Sequence, residues 1–178
     1  MFSYRHAFHA GNHADVLKHT TLLAVLRHMT QKETALNVFD THAGAGLYKL
    51  DGDFAKTSEE AAEGFLKLVA SKPETPFAPA LQDYIDMVAG FNAGNHWSVY
   101  PGSPFIIQSL LSGRDKLKLF ELHPTDLRAL AGNVAQLDGR FSLPGGGCWR
   151  AAGHPDATMA ANKIPVEDMV HPRHWAQP

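Results

Sequence analysis

The run Ala35-Leu36-Asn37-Val38-Phe39-Asp40-Thr41-His42-Ala43-Gly44-Ala45-Gly46 constrains the fold more than any other stretch of the chain. Residues 35–39 are mostly apolar, with one β-branched and one aromatic side chain, and read as a short buried strand. The run stops at Asp40, and the six residues after it carry two glycines and no large apolar side chain. In an open α/β sheet, the loop leaving the carboxyl end of the first strand is where a nucleotide-like ligand sits. Gly44 and Gly46 allow the backbone to turn tightly and approach such a ligand with no Cβ in the way. The dinucleotide fingerprint requires a third glycine three positions later, where Lys49 stands. By spacing alone, a tight strand-to-helix turn with no ligand remains open.

At 178 residues the chain suffices for one domain with a proper core. Its hydrophobic content of 44% and net charge of -2 are those of an ordinary globular protein and give no global signal for nucleic acid. Charge is uneven, however. Residues 1–32 hold Arg5, Lys18, Arg27 and Lys32 against Asp15, four positive charges minus one negative, together with five histidines. That end suits phosphate, although a solvated surface is the default for so few charges. The single cysteine, Cys148, excludes an internal disulfide and a cysteine-based zinc cluster. Residues 1–9 lack the apolar segment of a signal peptide, and no run approaches the roughly 20 apolar residues of a membrane span. A cytoplasmic location is expected.

Residues 1–12 are too rich in aromatics and histidine for a disordered tail. A helix is expected over residues 13–32, with Val16, Leu22, Leu23, Leu26 and Met29 on its buried side. From residue 51 to 98 the texture changes. Ala62, Phe65, Leu66 and Val69 keep helical spacing, Pro73, Pro76 and Pro79 break it, and Leu81, Tyr84, Ile85 and Val88 resume it. Two short helices with no strand between them read as an insertion into an α/β domain of residues 1–50 and 99–140. In the resumed domain Ser103 suits a helix N-cap, Pro104 the first helical position, and Thr125 a further N-cap. Residues 116–122 alternate as a strand does. After Arg140 the pattern breaks down: residues 142–178 hold five prolines and four glycines, and no window offers a convincing strand.

Glu121, at the end of the second strand, is placed to accept hydrogen bonds from both hydroxyls of a ribose. The usual separation from the glycine loop is about 20 residues. Here it is 75, so the reading requires that the central segment be an insertion; otherwise Glu121 is a solvated strand-end carboxylate. His6, His9 and His13 have metal-like spacing, but Gly11-Asn12 interrupts any helix that would align them, and no metal is expected. Lys18 and His19 are either surface residues of the first helix or reach over the glycine loop to a carboxylate. Tyr4 is open between core packing and base stacking.

Several segments together resemble the RlmJ family. They are Tyr4-Arg5-His6, the block from Phe8 through His13-Ala14-Asp15-Val16-Leu17-Lys18-His19, the run from Asp40 to Gly46, Tyr100-Pro101-Gly102-Ser103-Pro104, and Glu121-Leu122-His123-Pro124. The resemblance covers residues 1 to about 140 in order. It implies an S-adenosylmethionine-dependent methyltransferase acting on N6 of an adenine in 23S ribosomal RNA. The implied fold is Rossmann-like, class I, with a small helical insertion, and the intact family member is expected to be a monomer. By the family's pattern His19, His42 and Ser103 would hold the methionine moiety, beside the glycine loop at Gly44. Glu121 would take the ribose hydroxyls, and Tyr4 would meet the RNA.

The family also carries, further on, an Asp-Gly step that contacts the adenine and a strand ending in Asp-Pro-Pro-Tyr. That last motif accepts the amine proton and stacks the flipped base. Asp138-Gly139 falls too early for the first, and no Asp-Pro-Pro occurs in the chain. Residues 141–178 are therefore expected to be aberrant and poorly structured, with no catalytic residue present and the 178-residue chain inactive. Two other classes remain: a non-catalytic module or degenerate fragment that keeps cofactor or RNA contact, and a histidine-metal hydrolase.

Overall fold

The structure, a computed structural model, describes residues 6–50, 60–71, 73–94, 96–140 and 148–151, with backbone alone for 136–140 and 148–151. Tyr4 and most of the expected aberrant tail lie outside the described residues.

After a single 3-10 turn at His6–Phe8, helix α1 spans His13–Met29. Asn12 caps it, its side-chain oxygen accepting the Asp15 amide at 3.0 Å. The helix ends three residues short of the expected Lys32, because the Thr30 hydroxyl and amide both turn back onto the Leu26 carbonyl. Asp15, His19, Leu23 and Leu26 form its buried stripe. The expected stripe holds except at its last residue, with Val16 and Leu22 partly buried against the core. Leu23 and Leu26 are buried and Met29 is 39% exposed, while the first two turns bury a carboxylate and an imidazole.

Strand β1 is Asn37–Asp40 and β2 is Leu47–Lys49. Glu60 and Ala61 then lead into a π-helical turn at Ala62–Leu66, followed by short helix α2, Lys67–Ala70, and helix α3, Pro79–Ala89. Strand β3 is Val99–Pro101, helix α4 Ser103–Leu110, strand β4 Lys116–Leu119, helix α5 Pro124–Arg140 and strand β5 Cys148–Ala151. Strands β1, β4 and β5 form a parallel sheet in that order, and β2 pairs antiparallel with β3. The mixed helix-and-strand architecture expected from the sequence is present. Among the described residues no helix is long and apolar enough to cross a membrane.

Parallel pairing of β1 with β4 sets Asn37 against Lys116 and Asp40 against Leu119. Just before β4, the Asp115 carboxylate accepts the Leu36 amide at 2.8 Å and the Ser112 amide and hydroxyl at 2.7 Å. One buried side chain thereby ties the start of β1 to the turn that starts β4. In β4, Leu117 and Leu119 point into the core and Lys116 and Lys118 out of it. β1 is not the buried strand its composition suggests. Phe39 is 56% exposed and faces outward, with the Lys118 ammonium 5.2 Å from its ring centroid.

The β2–β3 ribbon, which no periodicity announced, brackets the helical segment. The chain leaves through β2 and returns beside it through β3, with Tyr48 opposite Tyr100. The segment docks on the front of α1 through two glycines. A Cβ on Gly64 would overlap the Gly11 carbonyl oxygen, so only glycine lets the π-turn close in, and the Phe65 amide donates to that carbonyl at 2.7 Å. Asn92 closes the other end: its amide donates to the Val88 and Val99 carbonyls, and its oxygen accepts the Ser98 and Val99 amides, all at 2.8–2.9 Å. Phe65, Tyr84, Val88, Tyr100 and Ile106 form one core with Leu23; Leu117, Leu119, Leu130 and Val134 form a second with Leu26 and Ile107.

Two caps shift by one residue. Gly102, not Ser103, is the N-cap of α4, which places Ser103 at its first helical position. α5 begins at Pro124 rather than after Thr125. In the carboxyl-terminal region where no strand was expected, Cys148–Ala151 pairs along β4 with Cys148 opposite Lys116. The free edge of β4 supplies the template, so four residues without alternation suffice.

Candidate functional site

At the carboxyl ends of β1 and β4 the backbone turns away on both strands and leaves a cavity of about 310 Å³. Its walls include His6, Lys18, His19, His42, Gly44, Tyr48, Ser103, Glu121 and Asp126. His19, His42, Gly44, Ser103 and Glu121, separated by up to 102 positions in sequence, thus surround one space.

The glycine loop forms one wall and is held from several directions. Gly44 and Gly46 have φ of 60° and 79°, the left-handed region in which a Cβ is strained. At Gly46 a Cβ would also lie 2.7 Å from the Phe105 ring and 2.9 Å from Leu130. The Ala43 amide donates to Phe120, the Ala45 amide to the Tyr48 hydroxyl, and the Asn133 side chain to the Ala45 carbonyl. The Gly46 carbonyl accepts the Gly102 amide at 2.7 Å, which brings the start of α4, and hence Ser103, against the loop.

Glu121 sits across from this loop. One carboxylate oxygen accepts the Gly44 amide at 2.8 Å and the other the His123 amide at 2.7 Å. Each oxygen keeps lone-pair capacity for a further donor. The separation of 75 residues that made the pairing doubtful by sequence is closed by β1–β4 pairing and by the excursion through the helical segment.

The opposite wall is the first two turns of α1. Asp15 is fully buried and accepts the His6 ring at 2.9 Å and the Gly11 amide at 3.1 Å, with the Lys18 ammonium 2.8 Å from its other oxygen. Burial opposes its charge, but His6 and Lys18 outweigh that and hold the carboxyl well below the ordinary range. His19 is 5% exposed, and burial holds it down to about 4, against the pull of Asp15, so it is neutral near pH 7. Its Nδ1 is 3.0 Å from the Tyr100 hydroxyl, which is 2.7 Å from the Tyr84 hydroxyl. Burial pushes Tyr48, Tyr84 and Tyr100 up, so all three stay protonated.

His19 and Lys18 are therefore not merely surface residues of the helix. His6 and His9 part company: His6 turns to Asp15, and His9 turns to Glu60, which also accepts from Asn12 at 2.9 Å. Among the described residues no group of three or more His, Cys, Asp or Glu is placed to hold a metal. Sequence reading missed Tyr48 and Asp126 in the cavity wall. A signal existed for Tyr48, since its aromatic ring follows the second glycine by two residues.

A family model described as ribosomal RNA large subunit methyltransferase D, RlmJ, matches residues 33–147. The chain is 44% identical over 126 residues to ribosomal RNA large subunit methyltransferase J of Escherichia coli (strain K12), covering 71% of this chain and 44% of that protein. Against the protein of the same name in Haemophilus influenzae, identity is 39% over 136 residues, covering 76% and 47%. A crystal structure of a Legionella pneumophila protein superimposes with a TM-score of 0.65 at 33% identity, over 80% of this chain and 48% of that one. The chain spans about half the length of the curated relatives it matches. A family model covering well over half of the chain, glycine loop and Glu121 included, makes this protein a member of the RlmJ family.

Proposed function

We propose that this chain carries the cofactor half of a Rossmann-like, class I methyltransferase, with S-adenosylmethionine as the ligand of the cavity. The observation that carries the reading is the Glu121 carboxylate hydrogen-bonded to the Gly44 amide at the carboxyl edge of a parallel sheet. The donor set fits the ligand. A zwitterionic amino-acid tail calls for polar groups such as His19, His42 and the Ser103 hydroxyl, and a ribose calls for a carboxylate with spare lone pairs. Gly44, which has no Cβ, lines the cavity and leaves its backbone open to the nucleoside. When bound, S-adenosylmethionine supplies an electrophilic methyl group on a sulfonium.

The chain's own residues bind and orient. Lys18, whose ammonium stands at the rim, balances Asp15 and offers charge to an anionic group. By lineage the acceptor is N6 of an adenine in 23S ribosomal RNA, a substrate met in the cytoplasm, and Tyr4 is assigned to the RNA. The relatives' name, ribosomal RNA large subunit methyltransferase J, supports an rRNA substrate.

The residues that would receive the adenine are not among these 178: no Asp-Pro-Pro-Tyr occurs. The chain as written binds cofactor and does not turn over. Titration calorimetry with S-adenosylhomocysteine tests the reading, with micromolar binding expected; no binding at millimolar ligand overturns it. A methylation assay on 23S RNA separates the second half of the claim, since turnover at a full-length relative's rate refutes inactivity. One other reading is a non-catalytic module that retains RNA or cofactor contact.

A further inference from the structure

We infer that Tyr100, backed by Tyr84, fixes the tautomer of His19 so that its Nε2–H points into the cavity as a hydrogen-bond donor. The inference deepens the cofactor reading and rests on it for the identity of the acceptor, a carboxylate such as that of an amino-acid tail.

His19 Nδ1, the Tyr100 hydroxyl and the Tyr84 hydroxyl form a chain with links of 3.0 and 2.7 Å. All three residues are buried: His19 is 5% exposed and both tyrosines are at 0%. Neither hydroxyl has another hydrogen-bond partner among the described residues. Two proton orders are conceivable. If Tyr84 donates to Tyr100 and Tyr100 donates to Nδ1, every buried hydrogen has an acceptor, and the remaining proton of neutral imidazole lies on Nε2.

In the reverse case Nδ1 donates to Tyr100, and one hydroxyl hydrogen, that of Tyr84 or of Tyr100, is stranded in the core beside Phe65 and Val88. A buried donor without an acceptor biases the equilibrium by roughly tenfold or more toward the first order. A charged imidazole would impose the same stranding, and burial, helped by Lys18 and His6, already holds His19 neutral against the pull of Asp15. Tyr100 is a positioning residue: it touches His19 from behind, while His19 lines the cavity. Tyr84 belongs to α3, so the helical segment reaches the cavity wall through this relay. The opposite assignment would offer a lone pair to the ligand and repel a carboxylate.

The test is a two-bond proton–nitrogen correlation spectrum of the uniformly labelled 178-residue protein at pH 7, with no ligand. The expected pattern for His19 is protonated Nε2 and unprotonated Nδ1; the opposite pattern overturns the inference. Tyr100→Phe is expected to leave a mixture of tautomers, and Tyr84→Phe, which retains the Tyr100 bond, to keep Nε2–H. A Tyr100→Phe spectrum unchanged from wild type also overturns it. In binding, Tyr100→Phe is expected to weaken S-adenosylhomocysteine about fivefold and to leave adenosine, which lacks the amino-acid tail, unaffected. Equal loss for both ligands assigns Tyr100 a structural role only and overturns positioning. Failure of wild type to bind either ligand refutes the proposed function, while the ligand-free spectrum still decides the tautomer.

Discussion

The Glu121 carboxylate accepts the Gly44 amide at 2.8 Å, joining two residues 77 positions apart. The contact does two things: it satisfies the amide of a buried glycine in a left-handed turn, and it holds a carboxylate at the mouth of the cavity. Glu121→Gln should separate these. The amide side chain places a donor opposite the Gly44 or His123 amide, at a cost of about 1–2 kcal/mol in urea unfolding. Affinity for S-adenosylhomocysteine should fall by roughly tenfold or more, because hydrogen bonds to a charged acceptor are the stronger ones. Calorimetry on wild type and variant checks both; undiminished affinity would remove Glu121 from the ribose role.

Gly46 leaves no room for a side chain. Its φ of 79° is strained for any L residue, and the added Cβ meets the Phe105 ring at 2.7 Å and Leu130 at 2.9 Å. Gly46→Ala is expected to destabilise by about 2–4 kcal/mol, combining backbone strain with overpacking. Equilibrium urea denaturation followed by circular dichroism measures it.

Stability should depend on pH in two windows. His19 titrates near 6.5 in an unfolded chain and at about 4 in the fold, so the unfolded state takes the proton first. Stability is therefore full above about pH 6.5 and declines toward pH 4, by on the order of 3 kcal/mol over the window. Asp15 is held below its ordinary value, so its contribution is present above about pH 4 and is lost as pH falls further. Urea midpoints at pH 7, 5.5 and 4 read the first window. His19→Gln should flatten the decline between pH 6.5 and 4 and leave the acid-side loss in place.

Asn92 makes four short hydrogen bonds that join the end of α3 to the start of β3. Asn92→Ala leaves two amides and two carbonyls without that partner, and an expected cost of about 2–3 kcal/mol follows from partial exposure of the site to water. Because the Tyr84–Tyr100 contact spans the same two elements, the variant should also weaken S-adenosylhomocysteine binding. Thermal unfolding and calorimetry check the two effects.

Much of the site was readable from residue types. A strand ending in Asp40, two glycines and a distant strand-end carboxylate point to a sheet edge with a glycine loop, and Gly44 and Glu121 do meet there. What the sequence hides is polar burial. Asp15 and His19 look like solvated helix residues, since nothing local shows that His6, Lys18 and Tyr100 will partner them. Helical spacing correctly assigned Tyr84, Ile85 and Val88 to the core, but it misassigned Met29, the exposed last residue of α1. The strands β2 and β5 escaped because three or four residues give no period, and their existence depends on β3 and β4 beside them. Phe39 escaped for the converse reason: apolar composition says nothing about which side of a sheet is covered.

Asp115 lies at the opposite end of the strands from the cavity, about 13 Å away by strand rise. Its carboxylate nevertheless sets the phase of β1 against β4, because it grips the Leu36 amide on one strand's approach and the Ser112 amide on the other's. Slip that phase by a single position and Gly44 no longer arrives level with Glu121, although every residue of the cavity is unchanged. The alignment of the two walls is in this sense written at the back of the sheet, by a side chain that no ligand would ever touch.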